Sequence, residues 1–396
     1  MTTPLLSIVV PTKDRYETLT ILVNRLMLWP DSRFELVIQD NSSDNSAFQM
    51  VLNQHRQDAR LRYAFSSTPV SAIDNCDAAV ARARGTFVCF IGDDDGLVIQ
   101  ALDAAAWMER RGIEALICNV ASYTWPDMEH SVALNHMLNG RLINSDYSGE
   151  TTSPSAEDEL DKVFRSGARS MFNMPRLYHA IVARQVLDRL RQATGTCFPG
   201  PVPDMANAVA LCSFLTSDVH VDLPLIISGQ SRKSMSGKNA VRKHQGEIEK
   251  EPSLPAAAAE HWDDRVPRYW SGPTIWAEAA IKGAEATGRS DMVTRFGFAA
   301  LYAGCLVYNQ RKYWPRIVAA MKTHGGFRFL ALWPAVLWHV AAIMALRAKI
   351  LITKKLFGID GTDCPDMAAV IDHLEARLTE SGLMQRSFGP SGPGRP

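Results

Sequence analysis

Three clusters of polar and acidic residues in the first hundred positions have the composition of a site for a cation and a phosphorylated ligand. Each follows a short apolar run: residues 11–15 (PTKDR), residues 39–44 (QDNSSD) and residues 92–96 (GDDDG). Adjacent carboxylates directly after a buried segment are costly unless a cation neutralises them. Oxygen ligands suit a hard divalent ion, Mg²⁺ or Mn²⁺, which commonly bridges a diphosphate. We therefore predict a site for a metal and a nucleoside diphosphate.

The apolar runs before these clusters have the length and the β-branched or aromatic content of buried strands. The predicted strands are Leu5–Val10, Phe34–Ile38, Phe87–Ile91 and Ala115–Val120, with Leu61–Phe65 as a weaker candidate. Helical patterns lie between them, as in residues 71–84. Buried strands separated by helices predict a mostly parallel, three-layer α/β sheet. Ligands bind beyond the carboxyl ends of such strands, where the clusters lie.

Each acidic residue also has a structural interpretation. Asp14 and Asp44 precede predicted helices, where Asp commonly caps the first turn. For Asp44, capping and binding are equally compatible with the sequence. An isolated Asp-Asp-Asp is more often a solvated turn, but the buried strand before Asp93–Asp95 favours a metal site. Asp40 is expected to hydrogen-bond a base and a ribose across the same sheet edge.

The first hundred residues resemble family 2 glycosyltransferases of the GT-A fold. Residues 7–15 (SIVVPTKDR) resemble the start of that family, and residues 37–44 (VIQDNSSD) resemble its second element, "VVDDGSTD". Residues 75–95 resemble its approach to the DxD motif, with Phe90-Ile91-Gly92 leading into three aspartates. The three matches occur in the family's order and spacing, which makes the combined resemblance specific.

The resemblance implies roles for individual residues. Asp40 would contact the base, Pro11 and Asp14 would line the base pocket, and Asp93–Asp95 would hold the metal and the donor sugar. Two residues depart from the family pattern: Gln39 and Gly92 stand where many members carry Asp. We expect Asp95 to be the main metal ligand, assisted by Asp93. The residues expected to bind the nucleotide sugar are Pro11, Thr12, Asp14, Arg15, Asp40, Ser42, Asn75, Asp93, Asp94, Arg232 and Ser234.

An inverting transfer needs a carboxylate that deprotonates the acceptor hydroxyl. In the family this residue begins a helix roughly a hundred positions after the DxD motif. Asp204, in Pro203-Asp204, begins a predicted helix 109 residues after Asp95 and is our candidate base. The alternative role for Asp204 is helix capping. The rivals at residues 157–159 have the pattern of a solvated acidic face.

The loop after the last predicted strand carries Arg232, Lys233, Ser234 and Ser236. Such a loop can close on a diphosphate, with Arg or Lys stabilising the negative charge of the leaving group. A flexible polar loop without a binding role explains the same residues equally well. His179 lies in an apolar run and is interpreted as a core histidine.

Charge is divided unevenly along the chain. The 396 residues include 42 Lys and Arg and 42 Asp and Glu, so the formal net charge is zero. A protein that binds nucleic acid through an overall positive potential would carry a net positive charge, so the composition argues against that class. Residues 311–359, however, contain nine basic and no acidic residues. Within them, Phe329–Leu346 is free of charged residues and is interrupted by Pro334. An interfacial helix at an anionic membrane is favoured over a core helix, and both over a membrane span.

The sequence predicts three regions and a location. They are a GT-A domain at 1–250 (nucleotide-sugar half 1–120, acceptor half 121–250), a helical region at 251–384 and a disordered tail at 385–396. Seven scattered cysteines without a CxxC pair and the lack of a signal-peptide pattern indicate the cytoplasm, with peripheral contact at the inner face of the plasma membrane.

The combined prediction is a metal-dependent, inverting glycosyltransferase that uses Mn²⁺ or Mg²⁺. It would move a sugar from a nucleotide diphosphate, UDP favoured, to a glycan or lipid-linked acceptor of a surface polysaccharide. A sugar-phosphate nucleotidyltransferase is one alternative, but residues 11–14 lack the glycine that its first loop needs. An inactive assembly partner is another, although the acidic residues 93–95 are intact.

Overall fold

The computed structural model describes residues 3–389, except 131–132, 144, 241–244, 252, 256–257 and 358–359. The strands are β1 Leu6–Thr12, β2 Phe34–Asp40, β3 Leu61–Phe65, β4 Phe87–Phe90, β5 Gly96–Leu97, β6 Ala115–Cys118, β7 Ala121–Thr124, β8 Arg141–Ile143, β9 Thr151–Thr152, β10 Ala180–Ala183, β11 Asp218–Val221, β12 Ile226–Gln230 and β13 Gly361–Asp363. The helices are α1 Tyr16–Met27, α2 Gln49–Gln54, α3 Ala72–Ala81, α4 Ala101–Arg111, α5 Ala156–Arg165, α6 Arg184–Thr194, α7 Pro203–Leu211, α8 Met235–Ala240, α9 Gly272–Ala286, α10 Ser290–Val293, α11 Phe298–Tyr308, α12 Trp314–Gly325, α13 Trp333–Phe357, α14 Met367–Ser381 and α15 Leu383–Phe388.

An eight-stranded sheet in the order β3-β2-β1-β4-β10-β6-β11-β9 forms the centre of the fold. The first four strands are parallel, and β1 is paired with both β2 and β4. Thr12 lies opposite Asp40, and Val9 lies opposite Phe90, so the segments that follow these strands leave the same edge of the sheet. Helices flank the sheet, and the predicted α/β architecture is confirmed.

A second sheet, in the order β13-β8-β7-β12-β5, positions the chain that follows the three aspartates. β5 begins at Gly96 and pairs with β12 in antiparallel fashion. The apolar run at residues 219–227 does not form one strand, because it contains parts of β11 and β12, which belong to different sheets. Pro224 lies between them, and proline cannot donate the hydrogen bond that a continuous central strand would need.

Two polar segments contain helices. Residues 150–159 include the start of α5, whose N-cap Ser155 accepts a hydrogen bond from the Asp158 N–H. Residues 160, 163 and 164 of α5 are buried at helical spacing. The polar stretch at 229–237 begins as the end of β12 and continues into α8. The buried apolar residues of α5 belong to a hydrophobic core built mainly from residues distant in sequence.

The helical C-terminal part of the chain divides between two hydrophobic cores. Helices α9 to α12, together with α5 and α7, build a second core beside the sheets. The first core contains the buried residues of the two sheets and of the helices that flank them. The chain returns to this core after α13: β13 joins the second sheet, and α14 buries Met367, Ile371 and Leu374. Glu375 of α14 accepts hydrogen bonds from the Trp29 indole and the Ile99 N–H. Residues 361–388 therefore pack with the N-terminal sheet.

The predicted tail at 385–396 lies partly outside the described residues. Its first residues belong to α15, and Phe388 of that helix packs on Trp107 with ring centroids 5.1 Å apart. Residues 390–396 are outside the described part of the chain.

Gly229 of β12 passes so close to the acidic segment that a side chain there would collide with backbone. A Cβ atom built on Gly229 would lie 1.7 Å from the Asp94 carbonyl oxygen. We predict that Gly229→Ala lowers the free energy of unfolding by about 3 kcal/mol or more, because either strand would have to move. Urea unfolding measures this change.

Gly304→Ala is the matched control. Gly304 lies within α11 and has no heavy atom within 4 Å of a built Cβ. This variant should be neutral or more stable by up to about 1 kcal/mol, because alanine favours the helix. Equal stability of the two variants would contradict the close approach of β12 to Asp94.

Candidate active site

Asp93, Asp94 and Asp95 are buried side by side directly after β4, and each is held by different partners. Asp95 has the most complete set. Its Oδ2 accepts hydrogen bonds from the Gly92 N–H and the Tyr178 hydroxyl and lies 2.8 Å from His179 Nε2. Its Oδ1 accepts a hydrogen bond of 2.8 Å from the Gly229 N–H. Asp95 is therefore bonded on both carboxylate oxygens.

Asp93 and Asp94 share one cation, the guanidinium of Arg15. Arg15 lies 2.8 Å from Asp93 Oδ1 and 3.5 Å from Asp94 Oδ1. The second oxygen of Asp93 accepts a hydrogen bond of 2.6 Å from the Thr12 hydroxyl. The second oxygen of Asp94 accepts hydrogen bonds from the N–H and the hydroxyl of Ser231. The ends of β1 and β12 thus neutralise and anchor the two carboxylates.

The electrostatics of the three carboxylates differ. Burial raises the pKa of Asp93 and of Asp94, and the Arg15 guanidinium opposes that rise. Burial acts on Asp95 in the same direction, but His179 and the backbone hydrogen bonds hold the pKa of Asp95 below its ordinary value. Asp95 is therefore the most firmly ionised of the three, and its charge is compensated inside the protein.

Two oxygens of the cluster keep acceptor capacity for a metal ion. Asp93 Oδ1 has no well-directed hydrogen bond from a described residue, and Asp94 Oδ1 has only the long contact to Arg15. Both oxygens lie beside the same guanidinium, so a metal ion bound between them would share them with Arg15. A divalent ion such as Mg²⁺ often takes one or two carboxylates and completes its shell with water and substrate phosphate. Asp93 and Asp94 fit that pattern, whereas Asp95 offers no free oxygen.

The described part of the chain contains no group of three or more His, Cys, Asp or Glu side chains arranged to hold a metal. The prediction that Asp95 is the main ligand has no support in these contacts. Its four partners give Asp95 a different part, that of an anchor between β4 and the segments that carry Tyr178 and Gly229.

The residues predicted to bind the base form a second cluster at the ends of β1 and β2. Asp40 is fully buried and accepts hydrogen bonds from the hydroxyls of Tyr16 and Tyr63 and from the Ser42 N–H. The Asp14 N–H donates to the Ser42 hydroxyl, at a left-handed φ of 56° for Asp14. Asp40 is thus held by the protein itself, and its bonds shape the loop that carries Ser42.

Asn75, Pro11 and Asp44 complete the description of this edge. Asn75 donates through Nδ2 to the Thr12 carbonyl oxygen at 3.3 Å, while its buried Oδ1 has no partner among the described residues. Pro11 lies near the end of β1, opposite Gln39 and only partly buried. Asp44 accepts a hydrogen bond from the Ser46 N–H at the start of a short 3₁₀ helix, so a capping role fits it.

The loop residues predicted to contact a diphosphate bond to residues other than the three aspartates. Arg232 is exposed and forms an ion pair of 2.8 Å with Glu129, and Lys233 pairs with Glu17. Ser234 is buried and donates its hydroxyl hydrogen to the Ser231 carbonyl oxygen. The structure therefore brings Ser231, rather than Arg232 or Ser234, to the three aspartates.

Asp204 begins α7 as predicted and keeps part of its surface exposed. Its Oδ1 accepts a hydrogen bond from the Met205 N–H at 2.8 Å. Burial raises the pKa of Asp204, against the opposing effect of hydrogen bonds from Met205 and the Trp276 side chain. His179 is close enough to Asp204 to affect that pKa as well. A carboxylate with a raised pKa is a better proton acceptor than an ordinary one.

The rival acidic residues at 157–159 belong to α5, and two of the three pair with other residues. Glu157 forms an ion pair with Arg289, and buried Glu159 pairs with Lys162 and accepts the Asn173 N–H. The position of α5 in the fold therefore accounts for Glu157 and Glu159 without a catalytic role.

A chain of hydrogen bonds connects the acidic cluster to α7. His179 and Tyr178 contact Asp95, and the neighbouring Leu177 N–H donates to Asn207 Oδ1 on α7. His179 has a left-handed φ of 62°, an uncommon conformation for a residue other than glycine. That backbone turn lets the side chains of Tyr178 and His179 stack and contact the same carboxylate.

His179, Tyr178 and Ser231 are the site residues that sequence reasoning missed. The apolar run around His179 predicts a core position, and in part this is right, because His179 is buried. Its carboxylate partner lies 84 positions away. An alignment of relatives could reveal that pairing, since it depends on tertiary contact and has no local pattern.

Comparison with known proteins identifies a family match over the N-terminal part of the chain. Residues 7–171 match the model of the Glycosyl transferase family 2. A curated relative, the GalNAc(5)-diNAcBac-PP-undecaprenol beta-1,3-glucosyltransferase of Campylobacter jejuni, is 28% identical over 100 residues. That match covers 25% of this chain and 32% of the relative, so the chain spans about a third of the relative's length.

Among solved structures, S. aureus TarS 1-349 in complex with UDP-GlcNAc superposes with a TM-score of 0.51 at 15% identity. The match covers 95% of this chain and 92% of that one. The mannosyltransferase PcManGT from Pyrobaculum calidifontis, in complex with GDP-Man and Mn²⁺, gives a TM-score of 0.41 at 15% identity, covering 90% and 88% of the two chains, and that likeness is too low to bear on metal use here.

The architecture shared with TarS is the GT-A fold, as predicted. The match to the family model includes β1, β2, β4 and all three acidic segments. Residues 7–171 of this chain therefore match the Glycosyl transferase family 2 model, and the chain has the GT-A fold.

Proposed function

We propose that this protein is an inverting glycosyltransferase that moves a sugar from a nucleoside diphosphate to a glycan or lipid-linked acceptor. The observation that supports the proposal is that one segment links two kinds of carboxylate. Asp93 and Asp94 both face Arg15, while Asp204 lies on α7, which accepts a hydrogen bond from Leu177, next to the Asp95 partners Tyr178 and His179. A transfer to a hydroxyl needs both a cation for the leaving diphosphate and a base for the acceptor.

The donor half of the proposal rests on Asp93, Asp94 and Arg15. When bound, a divalent cation at Asp93 and Asp94, Mn²⁺ or Mg²⁺, would supply charge stabilisation to the departing diphosphate. Arg15 keeps about a quarter of its side chain exposed, at 23%. Its guanidinium is therefore placed to contact an anion entering from solvent while it still pairs with Asp93. The TarS complex contains UDP-GlcNAc, which favours a UDP-sugar as the donor here.

The acceptor half rests on Asp204. Its ionised carboxylate would remove the proton from an acceptor hydroxyl as that oxygen bonds to the anomeric carbon. The bond from that carbon to the diphosphate breaks on the opposite face, so the anomeric configuration inverts. The Campylobacter relative is named for a glycan linked to undecaprenol through a diphosphate, which supports an acceptor of lipid-linked type.

We propose that this protein is cytoplasmic and meets its acceptor at the inner face of the plasma membrane. The lipid-linked glycan in the name of the Campylobacter relative supports this location. All seven cysteines lie in the described part of the chain and are free thiols. Free buried thiols are compatible with a reducing compartment.

Donor binding is the first test of the proposed function. We expect a UDP-sugar, screened beside GDP- and dTDP-sugars, to raise the thermal midpoint in the presence of Mn²⁺ or Mg²⁺. The increase should be several degrees at ligand concentrations about a hundredfold above Kd. Asp94→Asn should remove the metal-dependent part of that increase, because it removes one charge from the converging pair.

Asp127→Asn is the matched control for this experiment, since no described contact joins that exposed residue to the three aspartates. It should retain the full ligand-induced increase. If no nucleotide sugar raises the midpoint of the wild-type protein, the proposed donor site is wrong.

Asp204→Asn separates binding from chemistry. We expect turnover to fall by about 10²–10⁴-fold while donor affinity stays unchanged, because general-base catalysis contributes about that factor. Nucleoside diphosphate release measures turnover, and calorimetry measures donor affinity. Glu157→Gln is the control, because Glu157 is one of the rival candidates for the base. This variant should keep the wild-type turnover.

The wild-type pH profile supplies a second readout for Asp204. Because burial raises the pKa of Asp204, activity should fall as the pH decreases through that raised pKa and the carboxylate gains a proton. Asp204→Asn should remove the contribution of Asp204 to this acidic limb, and the remaining pH dependence should come from Asp93 and Asp94, whose pKa values burial also raises. Unchanged turnover in Asp204→Asn would remove Asp204 from the mechanism.

A further inference from the structure

The apolar segment near the C-terminus lies on the surface of the protein. Within the described residues, one helical stretch, Arg311–Ile350, is long and apolar enough to cross a membrane, but only 6% of its most apolar window is buried. Exposed apolar side chains concentrate there. Between residues 314 and 352 the large ones are Trp314, Phe327, Leu330, Leu337, Trp338, Met344, Leu346, Ile350 and Ile352. Phe327 is fully exposed and Trp338 is 73% exposed.

One narrow side of α13 packs on the protein. Val336 is buried in the second core, Val340 and Ile343 pack against that core, and the Arg347 guanidinium lies 5.4 Å from the Tyr308 ring. These four residues are spaced four, three and four apart, which places them on one face of a helix. The opposite side carries Leu337, Trp338 and Met344 and faces outward. We call this opposite side, with Phe327 and Leu330, the outer face.

The outer face is bordered by positive charge. Arg328 and Lys349 are exposed near its two ends, and neither forms an ion pair with another described residue. Lys322 lies 5.7 Å from the ring of Phe329. Residues 311–359 include nine basic and no acidic side chains. Such a surface, apolar in the centre and basic at the edges, matches the headgroup region of an anionic bilayer.

We propose that the outer face is a docking surface for an anionic lipid bilayer, with α13 lying in the plane of the interface. Exposed apolar patches this concentrated are uncommon on monomeric proteins. Trp338 suits the boundary between acyl chains and headgroups, where tryptophan is enriched. The segments on either side of α13 belong to the same folded body: α12 contributes to the second core, and β13 joins the sheet that contains β12.

Those two connections favour an interfacial helix over a spanning one. A single span would separate α12 and β13 by the thickness of a bilayer, whereas α13 here lies against α11 by the face described above. The basic edges of the outer face argue against a second copy of this chain as the partner. Two outer faces brought together would oppose basic edges without a carboxylate from residues 311–359 to compensate them.

Vesicle flotation of the full chain tests the proposal. We expect the protein to float with phosphatidylcholine vesicles that contain about 30% phosphatidylglycerol, and about tenfold less with pure phosphatidylcholine. Raising the salt to about 1 M should weaken the anionic component, since it shortens the range of charge interactions. Trp338→Asp combined with Met344→Asp should reduce binding to the anionic vesicles by about tenfold or more.

Met50→Asp is the matched control, because Met50 is 80% exposed on α2 and lies outside the outer face. It should float like the wild-type protein. All variants should keep the wild-type thermal midpoint, since the changed side chains are exposed. The proposal is overturned if the wild-type chain does not bind anionic vesicles, or if the double variant binds them as well as Met50→Asp does.

Two further outcomes would also contradict it. Equal binding to neutral and anionic vesicles would exclude the basic edges from docking. A concentration-dependent dimer that the double variant disrupts, without vesicle binding by the wild type, would assign the outer face to a second copy. Donor binding does not enter these measurements, so their failure would leave the proposed sugar transfer untouched.

Discussion

The burial of three consecutive carboxylates at the end of β4 is the constraint on which the rest of the site depends. An ionised carboxylate away from water is costly unless charge and hydrogen bonds compensate it. Here the compensation comes from segments that are far apart in sequence: Arg15 after β1, His179 before β10 and Gly229 in β12. The acidic motif thus fixes where three parts of the chain must meet.

The compensation is divided so that one aspartate is structural and two remain available. Asp95 is bonded on both oxygens and joins two sheets and the segment that leads to α7. Asp93 and Asp94 face the guanidinium of Arg15, whose side chain is partly exposed. In the proposed function, the motif is therefore a packing element through Asp95 and a binding element through Asp93 and Asp94.

The position of Asp204 follows from the same network. Asn207 bonds to Leu177 and to the Cys197 carbonyl oxygen, so α7 is fixed relative to the residues that contact Asp95. A base for an acceptor hydroxyl has to be placed accurately relative to the donor. In this protein the side chains that hold the aspartates also position the helix of the proposed base.

Local pattern was sufficient to predict part of this arrangement. The buried runs of β1, β2 and β4, the loops after them and the start of α7 at Asp204 were predictable, because they depend on period and on residues adjacent in sequence. The return of α14 to the first core was not predictable from local pattern, because Glu375 contacts Trp29, which is distant in sequence, only in the folded chain. His179 was missed for the same reason, and α5 because its few apolar positions stand among charged ones.

A crystal structure with UDP and Mn²⁺ would test the central claim most directly, because anomalous scattering locates the manganese without reference to activity. The account predicts a manganese peak beside Asp93 and Asp94, with the diphosphate next to it and Asp95 still bonded to His179 and Gly229. Manganese bound through Asp95, or a nucleotide bound away from this edge of the sheet, would contradict it.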